Sequence, residues 1–159
     1  MSYDSVTIAN VILKSARAKG LYLTPLQLMK LTYITHGFYM QKNDCVLIHD
    51  DIEAWQYGPI IYELYKATRK YGRGVIYDEQ LLNDDLADKR VTDDVKILIE
   101  SVVEVYGKLP GIILSYLANK PGSPWFKVWK PDMKSLKIPN DIIKSHYQDV
   151  IDKKILFAA

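Results

Sequence analysis

The sequence predicts a mainly α fold: a single globular helical domain over residues 1–159 with a small β-hairpin packed against it. Three observations carry that prediction. The stretch Leu23 to Met40 holds a helix that starts at Pro25, is unbroken until Lys42-Asn43-Asp44 and has a very wide apolar arc. Three further stretches repeat apolar residues at helical spacing, around Ile12, Val102 and Ile143. Between them, Ile52 to Tyr57 alternates with a period of two and stops abruptly at Gly58-Pro59.

Taken in order, Asp4 or Ser5 is expected to cap a first helix running to about Lys19, with Ala9, Ile12, Leu13 and Ala16 on one face and Gly20 as its stop. The short link Leu21-Tyr22-Leu23 makes the next helix its neighbour. That second helix is well marked, with Thr24 as N-cap, Pro25 at the first helical position and Gln27 placed for a capping box. Leu26, Met29, Leu31, Tyr33, Ile34, Gly37, Phe38 and Met40 fill its arc, and Thr32, Thr35, His36 and Tyr39 form a narrow polar stripe. Lys30 falls near the middle of the apolar arc. It must snorkel out or find a carboxylate or carbonyl, because an unpaired buried charge is costly.

After Lys42-Asn43-Asp44 the pattern predicts a hairpin of Cys45–Ile48 with Ile52–Tyr57, turning at His49-Asp50-Asp51. Gly58-Pro59 then switches the chain, with Pro59 in the first turn of a helix reaching Tyr71. Residues Arg73 to Arg90 predict an extended piece at Val75-Ile76-Tyr77 and a polar loop through Asn83-Asp84-Asp85-Leu86-Ala87-Asp88. Thr92 should cap a helix whose core stripe is Val95, Leu98, Ile99, Val102, Val103 and Tyr106. A short apolar helix spans Gly111 to Ala118, a rigid loop delivers Trp125, Phe126 and Trp129, and Pro139-Asn140 begins a last helix.

The totals narrow the function classes. The 21 Lys+Arg against 19 Asp+Glu leave a formal charge of +2, no argument for a nucleic-acid partner. Lys66, Arg69, Lys70 and Arg73 cluster with tyrosines, yet basic residues in a last helical turn also suit the helix dipole. The single Cys45 excludes an internal disulfide and a cysteine zinc cage. With no basic leader followed by an apolar stretch and no long apolar run, the chain is expected to be cytoplasmic and free of the membrane. Twelve tyrosines and three tryptophans against three phenylalanines favour residues with apolar area and a polar handle, which suit helix edges and protein interfaces alike.

No residues form a nucleophile elbow or phosphate loop, so no catalytic or cofactor-binding set is assigned. His49, Asp51 and Glu53 alone suggest a hard cation, since Asp51 and Glu53 would share a strand face. Asp-Asp is equally a turn pair, and the spacing matches no specific motif, so no metal is expected.

Two blocks of sequence carry a family resemblance. Leu26-Gln27-Leu28-Met29-Lys30-Leu31-Thr32-Tyr33 resembles the L-x-L-x-K-L-x-Y signature of the Panacea domain, a family of phage-associated GepA-like and SocA-like proteins. Ile52-Glu53-Ala54-Trp55-Gln56-Tyr57-Gly58-Pro59-Ile60 with Glu63-Leu64-Tyr65 resembles its second block, and Tyr71-Gly72 fits the pair that follows. The likeness runs from about Ala9 to Trp125, and the two blocks together make it specific. One departure stands out: Ala118-Asn119 occupies the place of the family's usual Thr-His pair. An Asn keeps a hydrogen-bonding side chain but no titratable ring.

The resemblance implies a mostly helical antitoxin that neutralises a co-encoded toxin by direct protein contact. The alternative is an adaptor that hands the toxin to a protease, as in the SocA branch. A metal-dependent enzyme would rest on His49, Asp51 and Glu53 alone. The expected partner-binding residues are Trp55, Tyr57, Pro59, Tyr62 and Asn119, with Lys30, Tyr33, Glu53, Gly58 and Trp125 as the structural signature. The partners implied are a cognate toxin and, for the adaptor, a protease; self-association stays open. Trp55 and Trp125 can alternatively be core residues. If the two blocks meet in space, Lys30 is buried and bonded to a carboxylate or carbonyl, with Glu53 or Glu63 the first candidates.

Overall fold

The computed structural model describes residues 2–82 and 87–153, and its described residues form eight α-helices and a three-stranded antiparallel sheet. Helix α2 (Pro25–Asn43) is the axis of the fold. It packs against α1 (Ser5–Ala18), α5 (Asp93–Tyr106), α6 (Gly111–Asn119) and α8 (Asn140–Asp152). Its start is the expected capping box: the Gln27 amide donates to Thr24 Oγ1 at 3.3 Å and the Thr24 amide to Gln27 Oε1 at 2.9 Å.

The polar stripe on α2 does not face water. Thr32, Thr35 and His36 are all fully buried. Each threonine hydroxyl donates to the carbonyl one turn back, Leu28 and Leu31, at 2.7 Å, which satisfies it without solvent. The His36 Nδ1 accepts from the Ile48 amide at 3.2 Å, so its Nε2 carries the proton given to Asn140 Oδ1 at 3.0 Å. Burial holds this imidazole below its ordinary pKa and therefore neutral. Leu26, placed on the apolar arc, is 40% exposed.

Asp4 occupies the N-cap of α1, but neither its side chain nor that of Ser5 caps the helix. Asp4 Oδ1 pairs with His49 Nε2 at 2.7 Å, and the Ser5 amide donates instead to Asp50 Oδ2 at 2.7 Å. The cap thus comes from a residue 45 positions away. Asp50→Ala is expected to cost about 1 kcal/mol in urea denaturation, the loss of a helix cap. Asp51→Ala, which breaks only an exposed pair with Lys137 at 3.0 Å, should stay within about 0.5 kcal/mol.

The hairpin lies later in the chain than the pattern suggested. Strand β1 (Ile52–Trp55) pairs with β2 (Gly58–Ile61) through a two-residue turn, Gln56-Tyr57, in the register Ile52 to Ile61 and Trp55 to Gly58. Leu47 and Ile48 instead bracket Tyr3, whose amide donates to the Leu47 carbonyl at 2.8 Å. Pro59 therefore sits in a strand and does not open a helix. It is tolerated because β2 is an edge strand in the order β2-β1-β3, where a missing N–H costs nothing if it faces outward. Strand β3 (Leu136–Lys137) was not anticipated, being too short for a period to show.

Helix α3 (Tyr62–Thr68) starts three residues after Pro59 and continues as a tight turn at Arg69–Tyr71. The expected extended piece is present: the Ile76 amide donates to the Leu23 carbonyl at 2.8 Å. Of the expected polar loop, residues 83–86 lie outside the described residues, and Ala87–Arg90 forms a helical turn, α4. In α5 the stripe Val95, Ile99, Val102, Val103 and Tyr106 is buried, with Leu98 partly so. Thr92 is at the N-cap, but its hydroxyl donates to the Asp94 carboxylate rather than capping. Helix α7 (Pro124–Val128) replaces part of the expected loop, capped by Ser123 Oγ accepting from the Phe126 amide at 3.2 Å. Ile143, Tyr147 and Val150 form the buried side of α8. Among the described residues, no helix is long and apolar enough to cross a membrane.

Candidate functional site

The two signature blocks do meet, at the β1–β2 hairpin. Three alternate carbonyls along its bend, those of Trp55, Tyr57 and Pro59, each accept a hydrogen bond from a different helix. Trp125 Nε1 of α7 donates to the first, Asn119 Nδ2 of α6 to the second at 3.3 Å, and Lys30 Nζ of α2 to the third at 2.8 Å. The Ile61 amide adds a contact to Met29 Sδ at 3.3 Å. A lone hairpin is marginal in water; this one is held from beneath by side chains.

Lys30 is 1% exposed, so of the two outcomes open to it, snorkelling or a buried partner, the second holds. Its partner is a carbonyl, and neither candidate carboxylate serves: Glu53 Oε1 accepts from Trp55 Nε1 at 2.8 Å, and Glu63 pairs with Lys66 at 3.0 Å. Burial pulls the Lys30 ammonium down to about 7. Gly58 lies against it at φ +131, where a Cβ would stand 2.8 Å from Nζ. The glycine thus permits both the turn and the approach of the amine. Tyr33, the other signature residue on α2, is buried in the core with its ring edge-on to Tyr147.

Trp125 is a core residue, 7% exposed and stacked on Trp129 with ring centroids 5.0 Å apart. Trp55 is half-buried, 5.0 Å from the Tyr65 ring and 6.1 Å from Tyr62. Tyr57 projects from the turn at 75% exposure, and Tyr62 is exposed beside it. Pro59, expected among the contact residues, is buried, so what it presents is its carbonyl to Lys30. Asn119 is half-buried and faces the turn from below. Its amide donates at any pH, which a histidine ring in that place would not do in the same way.

Trp125→Phe keeps a ring but removes the N–H given to the Trp55 carbonyl. The expected loss is about 1–2 kcal/mol, with amide exchange in the hairpin accelerated more than in α5.

His49, Asp51 and Glu53, the residues weighed for a hard cation, line one cleft, but each is engaged elsewhere. His49 comes together with Asp4 and Asp50, their ligand atoms within 4.8 Å of one another. His49 also bonds Ser2 Oγ through Nδ1 at 3.0 Å, and Asp50 receives the Ser5 amide. Asp51 and Glu53 line the same shallow cleft as His49 but pair with Lys137 and Trp55. His49 and Asp50 thus tie the N-terminal residues to the segment before β1, whereas Asp51 and Glu53 make contacts within the sheet. Of the basic cluster, Lys66 pairs with Glu63 and Lys70 approaches Asp78 at 3.8 Å.

The sequence reading missed a groove of about 490 Å³ whose lining includes Trp55, Trp129, Pro131, Met133 and Lys134. Only the clustering of tryptophans late in the chain hinted at it.

Comparison with known proteins converges on this region. The family model described as antitoxin SocA-like, Panacea domain, matches residues 28–126, a span containing Lys30, Asn119, Trp125 and the whole hairpin. Antitoxin SocA of Caulobacter vibrioides is 26% identical over 130 residues, covering 78% of this chain and 69% of that protein. No solved structure matches.

Proposed function

Because the chain belongs to the SocA-like Panacea antitoxin family, we propose that it is an antitoxin that binds and silences a toxin encoded beside it. The observation that supports this most directly is the clamped hairpin, which lies wholly within the family match and holds aromatic side chains at the surface. On this reading Trp55, Tyr57 and Tyr62 contact the toxin, since aromatic side chains on a rigid support make strong anchors. Pro59 and Asn119 act through the shape of the bend. The chain works without catalysis, cofactor or metal, in the cytoplasm where its toxin acts.

Co-expression with the product of the neighbouring gene tests the proposal. The expected result is capture of that product and rescue of growth, weakened at least tenfold in binding by Tyr57→Ala with Tyr62→Ala. The absence of both capture and rescue would refute it. Toxin abundance separates the two modes of action: unchanged abundance marks inhibition, whereas a fall that requires a host protease marks an adaptor.

A further inference from the structure

We propose that the groove between Trp55 and Trp129 is the seat of the partner, and that it takes an extended protein segment carrying carboxylates around an apolar anchor. The inference rests on the antitoxin reading and names the chemistry of its contact. Four observations support it. The groove wall is prebuilt: Trp129 stacks on buried Trp125, which is itself hydrogen-bonded to the Trp55 carbonyl, so neither side needs ordering on binding. The lining offers adaptable apolar surface in Met133, which is 49% exposed. The groove is open to solvent, since Gln56, Pro131, Met133, Lys134 and Ser135 of its lining are all exposed.

Charge then selects the occupant. Residues 108–137 contain lysines 108, 120, 127, 130, 134 and 137 and one acid, Asp132, a local excess of five positive charges in a chain whose total is only +2. Lys134 lines the groove, and Lys127 and Lys130 flank it in sequence. None of these three has a carboxylate within 4.0 Å among the described residues, whereas Lys137 is already paired with Asp51. An unpaired lysine in the lining, a second one bridged to Met133 and a third close by in sequence attract an acidic segment and speed its encounter. A nucleic-acid strand is the weaker match, because the slot offers a proline and a methionine where a strand-binding groove lines up further aromatic platforms.

The test uses the full chain and the purified product of the neighbouring gene. A benzophenone photocrosslinker is placed at position 133 and, as control, at Ile97, 68% exposed on α5. Cross-linking is expected at 133 alone, to a partner peptide rich in Asp and Glu. Lys130→Glu with Lys134→Glu, both at exposed sites, should weaken binding at least tenfold without changing Tm, and reversing the cross-linked carboxylates to lysine should restore it. Cross-linking at 97 instead of 133, a basic partner peptide, or binding within twofold of the native chain after charge reversal would overturn the inference and leave the antitoxin reading standing. So would binding of a labelled oligothymidine that the same charge reversal abolishes. If the native chain neither binds the neighbouring product nor rescues growth, the antitoxin reading fails and this inference falls with it.

Discussion

Gly37→Ala is expected to be the most damaging single-methyl change in the chain, costing about 3 kcal/mol or more. A Cβ at Gly37 would stand 2.2 Å from Cδ2 and Cε2 of Tyr147, far inside contact distance. The obstacle is a rigid ring with nowhere to move. Tyr147 is fully buried, edge-on to Phe38 at 4.7 Å between centroids and to Tyr33 at 6.3 Å. Overpacking of a filled core costs roughly 1–3 kcal/mol, occasionally more, and here the α2–α8 contact must open to absorb it. Intrinsic propensity points the other way, because Ala is better than Gly in a helix by about 1 kcal/mol. Urea denaturation checks the sign. The double variant Gly37→Ala with Tyr147→Leu should cost less than the sum of the singles by at least about 1 kcal/mol, since the smaller side chain relieves the same clash. Additive losses would show that the ring is not the obstacle.

The second large effect is a dependence of stability on pH set by Lys30. Its folded pKa of about 7 lies below the 10.5 of an exposed lysine, so between those values the unfolded chain holds the extra proton. Stability therefore rises with pH across that window and is lost again as pH falls through 7. A full proton of difference changes stability by about 1.4 kcal/mol per pH unit. From pH 7.5 to 9.5 the native chain should gain about 2 kcal/mol relative to Lys30→Met, which keeps the volume and removes the titrating group. Above about pH 10 the buried tyrosines oppose the trend. Burial raises the phenols of Tyr33, Tyr106 and Tyr147, so their ionisation favours the unfolded chain. Parallel pH profiles for the native chain and Lys30→Met would show that the amine stays charged in the fold.

Both effects sit on α2, and they differ in how far the sequence announced them. Lys30 declared itself as a charge inside an apolar arc, because helical periodicity alone puts it there. Gly37 was placed on the same apolar arc, but nothing local named Tyr147, which is 110 positions away. The same division runs through the other elements. The capping box of α2 and the core stripe of α5 use residues three or four apart, and they formed as read. The cap of α1 is drawn from Asp50, and Asp4, the local candidate, pairs with His49 instead. Side-chain type alone does not decide whether the stripe Thr32, Thr35, His36 meets solvent or core. Backbone acceptors one turn back and a partner on α8 let it be buried.

Around the candidate site the family signature marked Lys30, Trp55, Gly58 and Trp125 without saying what joined them. The pairing of β1 was misread because Cys45–Ile48 and Gly58–Ile61 are both short apolar runs at hairpin distance. A two-residue turn with a left-handed glycine beside it favours the second, and the first finds Tyr3. The groove beside Trp129 depends on the stacking of two indoles and on a two-residue strand, neither of which has a period to detect.

By itself, the sequence determined the helical class, the central helix with its ends, the place of Lys30 inside an apolar arc and the two signature blocks of the family. All of these follow from local periodicity, capping chemistry and motif spacing. Only the tertiary structure decided that three helices donate to three carbonyls of one hairpin, that Lys30 faces Pro59 rather than a carboxylate, and that Asp50 caps a distant helix. The physical reason is that a backbone carbonyl is an identical acceptor at every position. Which side chain reaches it is set by how the elements pack and not by the residues on either side.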